Sequence, residues 1–159
     1  PRSRKLTRSR RPARASEAIA MKEIMAIVRM KKTGATKKAL VAAGVAGFTA
    51  VKVSGRGKLV TDPQELEKCR EKLLAMGMDE FSDATDTENL ITSFLDGSRF
   101  FPRRLFTVLA HDDDVPRIVE AITQANRTEY GIGDGAIFVL PVSDALRVRT
   151  GEAGEAAIW

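Results

Sequence analysis

Two separate stretches of this chain are each predicted to form a strand, a helix and a second strand, in that order. In the first stretch, residues 22–29 put apolar side chains on both faces of a strand, and residues 48–53 are β-branched and alternating. Between them a helix is predicted to begin at Thr33 and to end at Gly44, since glycine often follows the last helical residue. The first stretch therefore predicts a strand–helix–strand unit.

The second stretch repeats this order further along the chain. Residues 104–110 and 136–142 are predicted strands, and a helix is expected to run to residue 125, with one of the aspartates at 112–114 as its N-cap. Two such units predict an α+β, ferredoxin-like βαββαβ fold, in which two helices cover one face of an antiparallel four-stranded sheet. Because many apolar side chains point to the other face, we expect another copy of the chain to cover it.

A long insertion separates the two units. Residues 54–103 are too many for a structureless loop in a compact domain. One helix is predicted from Asp62 as N-cap to Gly77, and a second from Asp86 as N-cap to Gly97. Their apolar stripes are Leu66, Cys69, Leu73 and Met76 in the first helix, and Leu90, Ile91, Phe94 and Leu95 in the second. The two helices either pack on their own domain or protrude and dock on a partner.

Nearly all of the net charge lies in the first twenty residues. The chain carries +5 in total, of which residues 1–20 carry +6 and the remainder −1. This segment has too few apolar residues to offset the entropy of ordering, so we expect a disordered basic arm. Since the periodic sequence begins at Met21, the arm is expected to be an added or upstream-translated segment and not native. A native arm that binds nucleic acid or acidic lipid is the alternative.

The residue types exclude several classes of site. Cys69 and His111 are the single cysteine and the single histidine, which excludes a disulfide framework and a thiolate or histidine metal cluster. No nucleophile is recognisably paired with a general base, so we expect no catalytic site and no enzyme. Apolar stretches long enough to span a membrane and a signal-peptide core are both missing, which favours a reducing, cytoplasmic location.

Three short segments have the chemistry of anion binding. Residues 55–58 read GRGK and residues 131–135 read GIGDG, and glycine turns of this kind expose backbone N–H groups to an anion. Arg147 and Arg149 would point the same way on an extended strand, where paired guanidinium groups suit a polyphosphate. Each segment alone is also typical of an ordinary loop or a solvent-exposed strand edge. Together the three segments predict a binding site for an anionic nucleotide.

From Met21 to Ile158 the sequence resembles the PII (GlnB-like) family of nitrogen regulatory proteins. The resemblance is carried by KEIMAIVR, by GFTAVKVSGRGK, by GIGDGAIFVLPVSDALRVRTGE and by the final AAI. It implies a homotrimer that binds ATP or ADP in the clefts between subunits. It also implies that residues 55–102 approximately are the T-loop, with which PII proteins grip their targets, within a domain of residues 21–159.

The resemblance also implies the binding residues. Candidate nucleotide contacts are Ile27, Thr49, Gly55, Gly57, Lys58, Gly133, Asp134, Gly135, Arg147 and Arg149. Candidate contacts of 2-oxoglutarate are Gly57 and Arg103, which stands where the family has a lysine.

Three departures from the family pattern affect this site. Leu59 replaces the glutamine that helps to hold Mg²⁺ and 2-oxoglutarate, and Ala136 replaces a lysine that contacts phosphate. One additional residue precedes the GIGDG turn. These departures weaken the expectation that Mg²⁺ and 2-oxoglutarate bind.

The long insertion and the segment FPRRLFTVLAHDDDV are most similar to the nitrogenase-associated NifI branch, whose members pair two related subunits. Tyr130 is the single tyrosine and lies outside the insertion, so the loop cannot carry tyrosine uridylylation. The resemblance therefore implies control of nitrogenase. Alternatives are a conventional PII partner of glutamine synthetase or an ammonium channel, a nucleic-acid-binding ferredoxin-like module, and an acylphosphatase-like enzyme. The scarcity of aromatic residues on the strands argues against nucleic acid.

Overall fold

The structure is a computed structural model that describes residues 21–75 and 87–158. The basic arm, Met76, Gly77, Asp86 and residue 159 lie outside the described residues. The elements in chain order are β1 (Met21–Arg29), α1 (Thr33–Ala42), β2 (Thr49–Gly55), α2 (Pro63–Ala75), α3 (Thr87–Leu95), β3 (Phe101–His111), α4 (Val115–Asn126) and β4 (Ala136–Pro141). Short 3₁₀ turns precede α1 and α4, and a third follows at Gly154–Ala157.

The four strands form one sheet in the order β2-β3-β1-β4, and every neighbouring pair is antiparallel. With α1 and α4 this is the ferredoxin-like α+β fold that the sequence predicted. The central strand β1 pairs with both β3 and β4, so that Ile27 lies opposite Leu105 on one side and Ala136 on the other.

The main core lies between the sheet and the two helices α1 and α4. Its buried side chains are Ile24, Ala26, Val28, Leu40, Phe106, Val108, Ala110, Ile118 and Ile122. They alternate along β1 and β3 and follow the helical spacing along α4, as the sequence periodicity predicted. Val41 of α1 is apolar but 60% exposed, so it lies outside this core.

The opposite face of the sheet carries apolar side chains that no helix of the chain covers. Val51 is 45% exposed, Leu109 44% and Phe138 51%. Val51 lies opposite Leu105, and Phe138 lies opposite Met25, which itself pairs with Thr107. Leu109 alternates with the buried Val108 and Ala110, so it points to the same face, away from the helices. A surface of this kind usually belongs to an interface between proteins.

Some predicted element ends were wrong. β2 begins at Thr49 and extends to Gly55, and β3 begins at Phe101, three residues earlier than predicted. The insertion between the paired strands is therefore 56–100. Asp114 does stand at the N-cap position of α4, as predicted, but its side chain makes no capping hydrogen bond, and residues 112–114 form a 3₁₀ turn. Gly44 does adopt a positive φ, of 74°, directly after α1.

The insertion folds into two helices that share a second core with the domain. Asp62 caps α2 as predicted, since its Oδ1 accepts the backbone N–H groups of Gln64 and Glu65, each at 2.9 Å. The buried residues of this second core are Leu73, Ile91, Leu95 and Phe101, with Leu66, Cys69, Leu90, Phe94 and Ile132 packed against them. Because Phe101 starts β3 and Ile132 lies before β4, the helices pack on their own domain. No helix in the described ranges could cross a lipid bilayer.

A buried polar pair joins the two main helices. Thr36 is fully buried on α1, and its hydroxyl accepts a hydrogen bond from Asn126 Nδ2 at 2.9 Å. The same hydroxyl donates to the carbonyl oxygen of Lys32 at 2.9 Å, and Asn126 Nδ2 also donates to Ile122 O at 2.8 Å. The pair fixes the contact between α1 and α4, because a buried amide without partners is costly.

We expect Thr36→Val to lower the free energy of unfolding by about 1–3 kcal/mol, because it leaves the Asn126 amide without its buried partner. Thr92→Val is the matched control, since Thr92 is exposed on α3, and its effect should stay within about 0.5 kcal/mol. Urea unfolding at one fixed protein concentration measures both. Equal effects would mean that the buried pair adds nothing to stability.

Candidate functional site

The strand register gathers most of the predicted site residues at one end of the sheet. β1 and β2 end there, while β3 and β4 begin there. Gly55 lies opposite Phe101, Arg29 opposite Arg103, and Ile27 opposite Ala136. We call this the insertion end, because the chain leaves β2 and re-enters β3 at this place.

The GIGDG turn is built so that residue 135 must be glycine. Gly135 has a φ of 111°, a backbone angle that residues other than glycine rarely adopt. A Cβ added to it would lie 2.1 Å from the carbonyl oxygen of Ile27. Gly131 and Gly133 also have positive φ, of 64° and 68°. The turn therefore lies directly on β1, with its backbone close to the strand.

Asp134 holds the turn from the other side. Its carboxylate accepts the Thr128 backbone N–H at 3.0 Å and the Thr128 hydroxyl at 2.7 Å. Asp134 also pairs with Arg29, whose Nη2 lies 3.5 Å from Oδ1. The sequence predicted Asp134 as a ligand contact, and the structure gives it a role in shaping the turn as well.

Arg29 is a site residue that the sequence reasoning missed. Its side chain is only 7% exposed, and Nη2 donates to the carbonyl oxygen of Ile132 as well as approaching Asp134. Buried arginines are uncommon unless they are paired. The available signal was an arginine that closes an otherwise apolar strand, at the same sheet end as the glycine turn. Arg29 therefore places a cation directly beneath this turn.

A cleft of about 330 Å³ opens beside the turn, between α4 and the edge of the sheet. Three predicted residues line it, namely Ile27, Asp134 and Gly135. The remaining lining comes from Val28, Val119, Ile122, Thr123, Asn126, Arg127, Ala136 and Ile137. The cleft has an apolar wall with a few polar groups at one side, which is the usual lining of a small-molecule site.

Leu59 lies in the neck of the insertion, which is the place where residues 56–59 meet residue 97. A Cβ added to Gly97, which has a φ of 69°, would lie 2.6 Å from Leu59 Cδ2 and 2.6 Å from Arg56 Nη1. The start and the end of the insertion are therefore in direct contact through these three residues. Leu59, which stands where the family has a glutamine, therefore contacts Gly97 while 38% exposed.

The insertion also touches the glycine turn. Phe94 Cζ lies 3.5 Å from the position of a Cβ on Gly133, and the Phe94 ring packs against the Phe101 ring with centroids 5.1 Å apart. Tyr130 makes a long contact of 3.4 Å from its hydroxyl to Ala75 O at the end of α2. A hydrogen bond with Glu129 and the charge of that carboxylate raise the pKa of Tyr130. The turn and the insertion are thus one packed unit.

The other predicted residues of this end line the neck of the insertion. Gly57 and Lys58 are exposed, and nothing lies within 4 Å of a Cβ added to Gly57. Arg103 is half-buried, and its Nη1 donates to Pro102 O at 3.1 Å. A small anion could therefore approach these groups from solvent.

Arg147 and Arg149 are not brought together with the other predicted residues. Thr49 begins β2 opposite Thr107, which in turn lies opposite Met25 in the middle of the sheet. β4 runs away from the glycine turn, and after it the Val142 N–H bonds to Met21 O at the start of β1. Arg147 Nη2 donates to Ala157 O at 3.2 Å, next to Ile158, which lines a small cavity with His111 at the end of β3. The two groups are separated by the length of the strands.

The expected extended strand at the two arginines is wrong. Leu146 forms an isolated antiparallel bridge with Ala153, and residues 148–150 form a turn between them. The side chains of Arg147 and Arg149 therefore have different surroundings, since Arg147 is half-buried and Arg149 is exposed.

The described residues contain no cluster of the side chains that most often bind metal ions. Within 21–75 and 87–158, no group of three or more histidine, cysteine, aspartate or glutamate side chains could hold a metal ion. The side chain of Leu59 also has no atom that can coordinate a metal ion. We therefore assign no protein ligand to Mg²⁺ and derive no step through it.

Comparison with known proteins decides the family. The family model described as nitrogen regulatory protein P-II matches residues 21–152. The chain is a member of the PII family. Among curated relatives, the "Nitrogen fixation nifHD region GlnB-like protein 2" of Methanobacterium ivanovii is 40% identical over 139 residues, which is 87% of this chain and 99% of that protein. The "Nitrogen regulatory protein P-II" of Cereibacter sphaeroides is 37% identical over 138 residues, covering 87% and 100%.

A solved PII structure confirms the fold. The crystal structure of Arabidopsis thaliana PII bound to citrate matches with a TM-score of 0.57 and 28% identity, over 87% of this chain and 92% of that one. The family resemblance read from the sequence is therefore confirmed. The individual nucleotide and 2-oxoglutarate contacts of this PII protein stay predictions.

The close approach of the turn to β1 gives a stability prediction. Gly135→Ala should lower the free energy of unfolding by at least about 3 kcal/mol, since the new Cβ would overlap the Ile27 carbonyl oxygen. Gly131→Ala is the control, because it also has positive φ but faces open space, and should cost about 1–2 kcal/mol. Thermal unfolding at equal concentration compares them, and equal losses would contradict the assigned contact.

Proposed function

We propose that this PII protein is a regulatory protein and not an enzyme, and that it binds ATP or ADP between two copies of the chain. The observation that carries this proposal is the division of the predicted site. Gly55, Gly57, Lys58 and the turn at 133–135 lie at the insertion end, whereas Arg147 lies at the other end, in the same loop as Arg149. One nucleotide cannot touch both ends of a single sheet, so a neighbouring copy must supply one of the two groups.

The chemistry of each group suits one part of the ligand. Glycine turns with positive φ present backbone N–H groups, and Arg29, Arg103 and Lys58 supply cations at the same end. Arg149 at the other end is exposed and can form charge-assisted bonds to phosphate. Ala136 lacks the lysine of the family, so the phosphate contacts of this protein would rest on the arginines.

A homotrimer is the assembly that we propose, in line with the family. The open sheet face supports it, because Val51, Leu109 and Phe138 would otherwise stay in water. Burial of apolar surface stabilises by about 25 cal/mol per Å². A trimer completed by a related PII-like subunit is the variant that the NifI resemblance allows.

We propose 2-oxoglutarate as a second ligand at the neck of the insertion. Gly57 offers open backbone and Arg103 a guanidinium group, and Arg103 lies opposite Arg29 on β1. The planar guanidinium group of Arg103 suits one carboxylate of this ligand, whereas Arg29 is already paired with Asp134. Leu59 supplies no donor there, so binding of the dicarboxylate would depend on Arg103 and on the backbone of Gly57.

The target that we propose is nitrogenase, approached through the α2–α3 insertion in the cytoplasm. The names of the archaeal relatives connect them with the nifHD region. The name of the Cereibacter relative is that of a general nitrogen regulatory protein, so control of glutamine synthetase or an ammonium transporter is the second candidate.

Calorimetry tests the nucleotide site. Arg149→Ala should weaken ATP binding about 10-fold to 100-fold, through the loss of charge-assisted bonds to phosphate. Val148→Ala is the control, since Val148 is 97% exposed beside Arg149 and should leave the affinity within about twofold. Titrations with and without 2-oxoglutarate and Mg²⁺ show whether the two ligands reinforce each other. Unchanged ATP affinity in Arg149→Ala would overturn the site.

A second experiment tests the target and the insertion together. Leu74 is 47% exposed on α2, and Leu74→Asp should abolish control of nitrogenase activity while the ATP affinity stays within about twofold. Val41→Asp is the control, because Val41 is 60% exposed on α1 and outside the insertion. Acetylene reduction by purified nitrogenase measures the effect. If the wild-type protein changes nothing, nitrogenase is not the target.

A further inference from the structure

Two consecutive arginines near the start of β3 point to opposite faces of the sheet. Arg103 lies opposite Arg29, on the face that carries the glycine turn. Arg104 lies opposite the buried Val28 and alternates with Phe106, which is fully buried in the core beneath the helices. Because successive side chains of a strand alternate, Arg104 points to the face that α1 and α4 cover. Arg104 therefore stands apart from the candidate site to which Arg103 belongs.

Lys52 brings a second cation to the same place. It lies directly opposite Arg104 in the β2–β3 pairing, just as Ala50 lies opposite Phe106. Residues that lie opposite each other in antiparallel strands point to the same face, with Cβ atoms about 4.5–5.5 Å apart. Like charges in this arrangement destabilise the pairing. The two strands therefore hold two cations together where an ion pair or an apolar pair would be more stable.

Neither cation has a partner within the described ranges 21–75 and 87–158. Lys52 is exposed and Arg104 half-buried, and neither side chain makes a hydrogen bond or an ion pair there. The Nε atom of Arg104 is shielded from solvent, and a shielded donor without an acceptor is costly. An anion beside the two side chains would remove both the repulsion and the unpaired donor.

Ser54 adds a third donor beside the two cations. It follows Lys52 by two residues on β2 and therefore points to the same face. Ser54 is exposed, and its hydroxyl makes no hydrogen bond to any residue that the structure describes. A guanidinium group, an ammonium group and a hydroxyl group thus lie side by side at the β2 edge of the sheet.

We infer that Arg104, Lys52 and Ser54 form a binding site for a phosphate group, on the face of the sheet opposite to the glycine turn. Two cations match the charge of a phosphate dianion, and a guanidinium group can donate to two of its oxygens. The hydroxyl can donate to a further oxygen. A single carboxylate has one charge and two oxygens, so it would satisfy fewer of these donors. The phosphate comes either from inorganic phosphate or from a small phosphomonoester, since both present the same oxygens.

This site is separate from the proposed nucleotide site and does not rest on the proposed function. Val53 and Arg103 point to one face of the β2–β3 pair, and Lys52 and Arg104 to the other. Ser54 immediately precedes Gly55, at which β2 ends and the insertion follows. A bound phosphate would therefore strengthen the pairing of β2 with β3 at the base of the insertion.

A phosphate titration followed by amide NMR tests the site, with sodium chloride keeping the ionic strength constant. In the wild-type protein the amides of Lys52, Ser54 and Arg104 should shift and saturate, with or without saturating ATP. Lys52→Ala and Arg104→Ala should each weaken phosphate binding at least about tenfold, through the loss of a charge-assisted hydrogen bond. Lys38→Ala is the matched control, because Lys38 is an exposed cation on α1, and it should leave the affinity within about twofold.

Three outcomes of this titration would overturn the site. They are amides at 52–54 and 104 that do not shift, an affinity that survives both substitutions, and shifts confined to residues 133–135, which would locate the phosphate at the glycine turn. Failure of the wild-type protein to bind ATP would overturn the proposed function and leave this result unaffected.

A comparison of three ligands identifies the source of the phosphate. Inorganic phosphate and O-phosphoserine should both shift the same amides, and the tighter of the two identifies whether the free ion or a phosphomonoester is the source. Malonate, a dicarboxylate of similar charge, should bind about tenfold more weakly, because its planar groups leave a donor unpaired. Equal or tighter binding of malonate would overturn the assignment to phosphate.

Lys52→Glu tests the repulsion without any ligand. It replaces the like charges with a cross-strand ion pair to Arg104, so the thermal unfolding midpoint without phosphate should rise by about 1–3 °C. Added phosphate should stabilise the wild-type protein and the control Lys38→Glu by mass action, but not Lys52→Glu. An unchanged or lower midpoint in Lys52→Glu would show that the two side chains do not face each other, and would overturn the inference.

Discussion

The pairing of β1 with both β3 and β4 is the constraint on which the candidate site depends. This register puts the start of β4 beside Ile27, so the turn before β4 must lie almost on the strand, and Gly135 is the residue that permits it. The same register ends β1 at Arg29, beneath the turn and opposite Arg103. Cations and backbone N–H groups thereby meet at one end of the sheet.

The second core packs the insertion and the glycine turn against each other. Leu73, Ile91 and Leu95 are buried together with Phe101 on β3, and Ile132 of the turn packs against them. Helices of nine and thirteen residues are marginal alone, so this shared apolar cluster is what stabilises them. A ligand at the turn and a partner on the helices would therefore act on neighbouring parts of the same core.

Sequence reasoning succeeded where a signal is local. The periodicity of the strands and of α4, the Asp62 cap and the apolar stripes of the insertion helices all follow from spacing along the chain, and the structure confirms them. It failed where the deciding contact is distant in sequence. Arg29 is a site residue because it meets Ile132 and Asp134, more than a hundred residues later, and no local pattern reports that contact.

The sequence by itself determined the family, the order of the elements and the residue types that can bind an anion, because these depend on motifs and on the 2.0 and 3.6 periods of strand and helix. Only the tertiary structure decided how those residues are distributed. Antiparallel strands carry their two ends to opposite sides of the sheet, so the glycine turn and Arg149 are separated within one chain. The structure also decided that the guanidinium group of Arg147 bonds to Glu152 and to the carbonyl oxygen of Ala157 while the Arg149 side chain is exposed, since the two residues have the same chemistry and differ only in what folds against them.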